Sequence, residues 1–124
     1  AIVANYQDIG GEINDNIFYC ISGSSFIDQE FRTGTVVSSD YNRFYSGSGF
    51  LNRHNGSDYT SLAAWRTGVS QDNNSTTGDP SFVSYAGNNF KLAGGSPCLT
   101  GSSTSGPQGC YITGSEVMGP RYAA

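Results

Sequence analysis

Charged side chains are scarce in this sequence of 124 residues, since Asp, Glu, Lys and Arg together make up only 13% of it. The six basic residues are scattered along the chain, and the ten acidic residues give a net charge of −4. Proteins that bind nucleic acids or anionic membranes need clustered Lys and Arg to contact phosphate groups. The composition therefore argues against both kinds of partner.

Long apolar runs are also missing, because the uncharged apolar stretches are only a few residues long. A membrane-spanning helix needs about 20 such residues in succession, so no membrane span is predicted. Aromatic residues, in contrast, are plentiful, with seven Phe, eight Tyr and one Trp. Disordered chains are poor in aromatic residues and rich in charge. We therefore expect a single folded domain.

Cysteine is sparse and odd in number, with Cys20, Cys98 and Cys110. Cys98 and Cys110 enclose a segment rich in Ser, Thr, Gly and Pro, so a disulfide between them is geometrically easy. The alternative is two small buried thiols, a description that fits Cys20 best because Cys20 lies inside the apolar run Ile17-Phe18-Tyr19-Cys20-Ile21. The first residues show no signal peptide and no initiator Met, which indicates a processed or excised fragment.

Gly, Ser, Asn and Thr are abundant, which is typical of turn-dense all-β proteins. An internal repeat supports this interpretation, because the pair Phe18-Tyr19 returns 26 residues later as Phe44-Tyr45. Each pair is followed by a Gly/Ser-rich corner and a second apolar pair, at 26–27 and 50–51. Such spacing predicts the coils of a solenoid, which must stack on one another to bury their apolar faces.

The segment after the second coil predicts a short α-helix near residues 60–67. Thr60 is a plausible N-cap, Leu62 and Trp65 lie three residues apart on one face, and Gly68 is a C-terminal stop. We expect Leu62 and Trp65 to pack against the flank of the solenoid.

A series of motifs between residues 13 and 99 carries a family resemblance. The motifs are Asp40-Tyr41-Asn42, Tyr59-Thr60-Ser61-Leu62-Ala63-Ala64-Trp65, Asp79-Pro80-Ser81-Phe82, Asn89-Phe90-Lys91-Leu92 and Gly95-Ser96-Pro97-Cys98. In this order they resemble the C-terminal coils of right-handed parallel β-helix proteins of the pectate-lyase-like superfamily, of the bacterial secreted type. The resemblance implies an all-β parallel β-helix of three to four coils and an extracellular location.

We expect residues 1–124 to form a single β-helix domain, or a fragment of a longer protein. Residues 1–12 are interpreted as an N-terminal lead-in, 13–99 as the coils and 100–124 as a C-terminal cap or tail. The resemblance also suggests polysaccharide lyases, which generally use Lys or Arg as the base and often hold Ca²⁺ with carboxylates.

No catalytic arrangement is evident in this sequence. His54 is the only imidazole and is interpreted as a surface turn residue, because no nucleophile elbow or metal-type Cys pattern accompanies it. Lys91 is interpreted as a solvent-facing strand residue. We therefore expect this chain alone to be non-catalytic, with no metal site and no cofactor; Ca²⁺ is the one ion that the family leaves open.

Sugar recognition combines aromatic faces with short polar groups, and Tyr41, Tyr45, Tyr59 and Trp65 lie among Asn, Asp and Arg residues. These four are the candidate ligand-binding residues of a carbohydrate-associated module, the end of a polysaccharide lyase or hydrolase. The alternative function is structural. A coil end left open exposes strand edges, which would stack end to end on a second copy or on upstream coils in an assembly or adhesin.

Overall fold

The computed structural model of the chain describes residues 2–5, 12–21, 25–30 and 38–109. Within these ranges there are eleven short strands, one α-helix and one 3₁₀ helix. In chain order the elements are β1 (Ile2–Asn5), β2 (Glu12–Asn14), β3 (Ile17–Cys20), β4 (Ile27–Glu30), β5 (Ser38–Asp40), β6 (Arg43–Ser46), β7 (Asn52–His54), β8 (Ser57–Tyr59), α1 (Leu62–Val69), β9 (Thr76–Thr77), β10 (Phe82–Ser84), β11 (Asn89–Leu92) and the 3₁₀ helix (Pro97–Leu99).

The strands form four small sheets, with the orders β1-β4-β7-β8, β3-β6-β9, β2-β5 and β10-β11. Parallel pairing joins β1 to β4 and β4 to β7, β3 to β6 and β6 to β9, and β2 to β5. The pairs β7 with β8 and β10 with β11 are antiparallel. Among the described strands, parallel pairing therefore ends at β9.

The prediction of a right-handed parallel β-helix with three to four coils is wrong. The described strands form separate small sheets, parallel and antiparallel, without the closed coiling of a solenoid. One physical reason is the turn after β7, where Asn55 and Gly56 both have positive φ, 49° and 73°. Two such residues in succession favour a tight hairpin, which returns β8 antiparallel along β7 instead of starting another coil.

The aromatic repeat does predict one local pairing correctly. Strands β3 and β6 are parallel neighbours, with Phe18 opposite Phe44 and Tyr19 opposite Tyr45. Side chains alternate between the two faces of a strand, so the Phe pair and the Tyr pair lie on opposite faces of this sheet. The Phe18 and Phe44 rings stack 5.1 Å apart at the core, and the Tyr pair is left on the outer face.

The hydrophobic core lies between the sheets and the helix. Its central side chains are the large apolar residues with the lowest exposure, namely Phe26, Ile27, Phe44 and Trp65, with Ile13, Leu62 and Val69 around them. Phe26 contacts both Phe44 and Phe50, with ring centroids 5.2 and 5.5 Å apart. Truncating a fully buried Phe to Ala costs about 3–5 kcal/mol, so this cluster is a main source of stability.

The short helix predicted near residues 60–67 is confirmed, displaced by two residues at each end. Its N-cap is Ser61 rather than Thr60, because the Ser61 hydroxyl accepts a hydrogen bond from the backbone N of Ala64 at 3.1 Å. Gly68 lies inside the helix, which ends at Val69 and is followed by the C-cap residue Ser70 in a left-handed conformation. No helix in the described ranges is long and apolar enough to cross a membrane.

Residues 100–109 fold back on earlier parts of the chain and form hydrogen bonds with Asp15 and Tyr41. The backbone N and the hydroxyl of Ser103 donate to the Asp15 carboxylate at 2.6 and 2.7 Å. The backbone N of Gly109 donates to the Asp15 carbonyl at 2.8 Å, and the Gln108 side chain donates to the Tyr41 carbonyl at 2.6 Å. This segment therefore contacts the turn between β2 and β3 and the turn before β6.

Candidate functional site

The β10–β11 hairpin lays aromatic side chains against the tyrosine pair on the outer face of β3 and β6. Its turn is fixed locally, since the Ser84 hydroxyl accepts from the backbone N of Gly87 at 3.1 Å. We call the resulting cluster the aromatic platform; its members are Tyr19, Tyr45, Phe82, Tyr85 and Phe90. Five rings from four strands and one turn thus converge on one surface.

Tyr19 is the centre of the aromatic platform. Its ring stacks on Tyr85 with centroids 4.4 Å apart, and it lies 4.8 Å from Tyr45 and 5.6 Å from Phe82. Phe90 meets both Phe82 and Tyr85 edge-on, at 5.7 and 5.9 Å. Offset-stacked and edge-to-face arrangements of this kind are the favourable ones for aromatic rings, so each ring holds its neighbours in place.

The outer part of the platform remains open to solvent. Tyr85 is 37% exposed and Phe90 is 38% exposed, although both take part in ring contacts. Val83 is 55% exposed, but it lies on the opposite face of β10 from Phe82 and is not part of the platform. Large apolar side chains that stay exposed together are typical of binding surfaces. The platform therefore offers fixed aromatic faces to a ligand.

The surroundings of Tyr19, at the centre of the platform, favour its neutral phenol. Burial raises the pKa of the Tyr19 phenol above its ordinary value, and the nearby Tyr45, Asp79 and Tyr85 raise it further. Arg43, in β6 like Tyr45, donates from its guanidinium to the carbonyl oxygens of Gly78 and Asp79 at 2.9 and 3.2 Å, which joins β6 to the segment after β9. The rings of the platform suit the apolar faces of a neutral, hydroxyl-rich ligand, and the charged side chains of Arg43 and Asp79 lie at its border.

A groove of about 500 Å³ begins beside the platform, between β6, the turn after it and the start of α1. Its apolar floor includes Phe44, Phe50 and Leu62, and its rim includes the hydroxyl groups of Thr60, Ser61 and Thr77. Tyr45 belongs to the platform and is also among the residues that line the groove, but Phe44 and Tyr45 point to opposite faces of β6, so the floor of the groove lies on the core side of this sheet. No charged side chain is among the described residues that line it.

The structure does not bring the four sequence-predicted ligand-binding residues together. Trp65 is fully buried, and its Nε1 donates to the Asp72 carboxylate at 2.8 Å. Tyr59 packs edge-on against Trp65, with ring centroids 5.4 Å apart. Both residues hold α1 against the sheets, so Trp65 has no exposed face for a sugar to contact.

Of the other two residues, Tyr45 lies in the platform and Tyr41 lies in a turn with a positive φ of 54°. The sequence reasoning missed Tyr19, Tyr85 and Phe90. Tyr19 could have been selected from the sequence, because the 26-residue repeat pairs it with Tyr45. Tyr85 and Phe90 lie far along the chain from β6, and only the folded hairpin shows that they cover the same face.

Asp72 is a fully buried carboxylate, and its surroundings are structural. One carboxylate oxygen accepts from Ser39, Asn42 and Ser75 at 3.0, 3.1 and 2.6 Å, and the other accepts from Trp65. Buried carboxylates are tolerated when their oxygens are occupied by donors in this way. The group thus joins β5, the turn before β6, α1 and the segment before β9, and it has no room for a substrate.

His54 is the last residue of β7 and is half-buried, rather than lying in an exposed turn. Burial lowers the pKa of its imidazole, and Asn55 lies 3.2 Å from the ring Nε2. In the neighbouring hairpin, Arg53 donates to Asp58 at 2.6 Å, which lowers the pKa of that carboxyl. Within the described ranges no three His, Cys, Asp or Glu side chains lie close enough to hold a metal ion.

The suggested disulfide between Cys98 and Cys110 stays a prediction, because Cys110 lies outside the described residues. Cys98 itself is a fully buried thiol, and this burial raises its pKa. Cys20 is a free thiol that is half-buried at the end of β3. Cys98 therefore fits the alternative interpretation of a small buried thiol, whereas Cys20 is only partly buried.

No protein family model, curated protein or solved structure matches this chain. Nothing therefore identifies it as a member of the pectate-lyase-like superfamily, and the fold that the resemblance implied is not the one observed. The function has to be inferred from the platform and the groove themselves.

Proposed function

We propose that this chain is a non-catalytic carbohydrate-binding module whose ligand lies on the aromatic platform. The observation that carries the proposal is the stack of Tyr19 on Tyr85, flanked by the exposed ring of Phe90. The C–H faces of a sugar ring pack on such surfaces, while its hydroxyl groups need hydrogen-bonding partners around them. The stacked and exposed rings supply the first of these two requirements.

The charge of the protein favours a neutral polysaccharide over an anionic one. The net charge is −4, and Asp79 is close enough to Tyr19 to influence its ionisation. An acidic polysaccharide would be repelled by this carboxylate and by the overall charge. We place the module outside the cell, where polysaccharides of this kind are encountered.

Affinity electrophoresis tests the proposal. The unmodified chain is run through native gels that contain xyloglucan, glucomannan, hydroxyethyl cellulose or glycol chitin, and we expect at least one of them to retard it. Tyr85→Ala and Phe90→Ala should each weaken the binding at least about fivefold, since an aromatic contact contributes about 1 kcal/mol beyond its buried area. Val83→Ala is the matched control, because this exposed residue of the same hairpin faces away from the platform.

Two results would contradict the proposal. One is the absence of retardation on every polysaccharide in the series. The other is an equal loss of binding in Val83→Ala and in the two platform variants, which would show that the hairpin matters only for folding.

A second function, association into a structural assembly, is favoured by a different observation. In the order of the described strands, β1, β2 and β3 are each at the edge of a parallel sheet. Edge strands present unpaired backbone groups that can pair with another chain. If a second copy binds there, light scattering will show a mass that grows with protein concentration; a monomer at every concentration would rule out this function.

A further inference from the structure

We infer that Tyr19 and Tyr85 form an oxidative cross-linking site, at which a one-electron oxidant joins the two rings as dityrosine. The inference does not depend on the proposed function, because it concerns the chemistry of the two phenols and not a ligand on the platform. Tyr19 belongs to β3, whereas Tyr85 belongs to the turn between β10 and β11. The cross-link therefore ties the hairpin covalently to the parallel sheet.

The two rings are held in contact by the fold. Their centroids lie 4.4 Å apart and their planes differ by 20°, so the rings overlap face to face. Carbon atoms in contact lie about 3.5–4.0 Å apart. This is close to the separation of about 3–3.5 Å at which two reactants held by a protein combine readily. Only a short movement of one ring separates this contact from bond formation.

Tyr45 is the competing partner for Tyr19, and the geometry favours Tyr85 over it. The Tyr45 ring is farther from Tyr19, at 4.8 Å, and its plane is inclined by 39°. Tyr45 and Tyr19 are also paired directly across two parallel strands, which hold their backbones at a fixed spacing. Tyr85 lies in a turn and is 37% exposed, so its ring is free to tilt and an oxidant can reach it.

The neighbouring rings confine the pair without competing in the reaction. Phe82 lies 5.6 Å from Tyr19, and Phe90 meets Tyr85 edge-on at 5.9 Å. A Phe ring has no hydroxyl proton to lose, so it does not form a phenoxyl radical. Among the five rings of the platform, coupling is therefore restricted to Tyr19, Tyr45 and Tyr85.

The reaction is a balanced two-electron oxidation. Each phenol gives up one electron and its hydroxyl proton, which leaves a radical shared by the oxygen and the ring carbons next to the carbon that bears it. One such carbon of each ring forms the new C–C bond. The hydrogen that each of these carbons carried then moves to the phenol oxygen, and both rings become aromatic again. One hydrogen peroxide, used by a peroxidase, takes up the two electrons and two protons and becomes two water molecules.

Treatment of the purified full chain with a peroxidase and hydrogen peroxide tests the inference. We expect dityrosine fluorescence and a product that remains monomeric on denaturing gels. After protease digestion, peptides that contain Tyr19 and Tyr85 should be joined, with a mass two hydrogen atoms below their sum. Oxidation of Cys or Met adds oxygen instead, so the mass distinguishes the products. The cross-linked chain should also unfold at a higher urea concentration, because the new bond constrains the unfolded state.

Phenylalanine variants locate the reaction. Tyr19→Phe and Tyr85→Phe keep the stacked rings but remove one phenol, so each should abolish the joined peptides. Tyr41→Phe is the matched control, because this half-buried tyrosine lies outside the platform, and it should leave the yield unchanged. Circular dichroism checks that every variant is folded.

Three results would overturn the inference. The first is oxidation of the chain without any dityrosine. The second is a main product that joins Tyr19 to Tyr45, or that joins two copies of the chain. The third is an undiminished yield of the joined peptides' fluorescence in Tyr85→Phe, since the coupling would then lie elsewhere.

Discussion

Replacing Asp72 with Asn tests the buried hydrogen-bond network that joins the helix to the sheets. Asn keeps the size of the side chain and tolerates the left-handed backbone at this position, where φ is 57°. One Asn oxygen can still serve Ser39, Asn42 and Ser75, but the amide NH₂ then faces the donor Nε1 of Trp65. The reverse orientation is worse, because it puts the NH₂ against three donors.

The expected cost follows from this geometry. A hydrogen bond to a charged group contributes about 1.5–3 kcal/mol, and Asp72→Asn loses at least the one from Trp65. We therefore expect Asp72→Asn to lower the free energy of unfolding by about 2–4 kcal/mol. That is a large share of the roughly 5–15 kcal/mol that stabilises a typical domain.

A double-mutant cycle with Trp65→Phe assigns this cost to the contact itself. Trp65→Phe removes the Nε1 donor and keeps an aromatic ring in the core. In the Asp72→Asn background the same change also removes the conflict between two donors, so the two substitutions should couple by about 2 kcal/mol. Urea denaturation of the four proteins, followed by far-UV circular dichroism, gives the four free energies.

Asp58→Asn is the control, because its ion pair with Arg53 lies on the surface with both side chains about half exposed. It should change the denaturation midpoint little. If Asp72→Asn were as stable as the unmodified chain, or if the cycle were additive, the reasoning about the buried carboxylate would be refuted.

Three further predictions concern single residues. Burial lowers the pKa of His54 in the folded chain. As the pH falls through about 6.5, the imidazole is therefore protonated in the unfolded chain before it is protonated in the folded chain. The contribution of the neutral ring to stability is complete above that pH and decreases below it. Urea midpoints measured from about pH 7.5 to 5.5 should thus fall more steeply for the unmodified chain than for His54→Gln, and equal slopes would contradict this. The Cys98 thiol is buried with a raised pKa, so in the reduced protein it should react with Ellman's reagent only after urea unfolding; rapid labelling of native Cys98, located by peptide mass spectrometry, would be inconsistent with its burial. Gly68→Ala should destabilise the chain in thermal denaturation although Ala is the better helix former, because the new Cβ would clash with the Tyr59 ring; a higher melting temperature would show that the ring moves aside.

Local patterns in the sequence predicted local structure well. The repeat of Phe-Tyr pairs fixed the register of β3 on β6, because a slip of one residue would turn Phe18 and Tyr19 to the wrong faces. The helix was predictable because Leu62 and Trp65 repeat at helical spacing and a capping residue precedes them. In both cases the signal lies within one segment or in two segments of similar sequence.

The prediction that this repeat continues as a whole β-helix was wrong, and the sequence itself contains a signal for a hairpin at that point. The dipeptide Asn55-Gly56 separates two short strand segments, which is a strong indication of a hairpin. The expectation of coils that continue in one direction took no account of this dipeptide. A local turn preference decided the chain direction there, and the antiparallel pair followed.

The candidate site was predictable only in part, for a physical reason. Tyr45 could be selected because it alternates out of a strand, but Trp65 could not be told from a ligand-binding residue until its buried partner Asp72 was known. Tyr85 and Phe90 come from a hairpin whose docking onto β3 and β6 depends on contacts between distant segments. Sequence spacing carries no direct information about such contacts.

The hydrogen bonds between Asp15 and residues 103–109 affect how fast the chain folds. The hydrogen bonds between Ser103 and Asp15 close a loop of 88 residues, and the parallel pair of β3 and β6 closes one of 26. Proteins dominated by such distant contacts fold on the order of milliseconds to seconds, because the entropy of loop closure is lost before the contacts form. During synthesis, the contacts of Asp15 with the segment around Ser103 can therefore form only after that segment has left the ribosome.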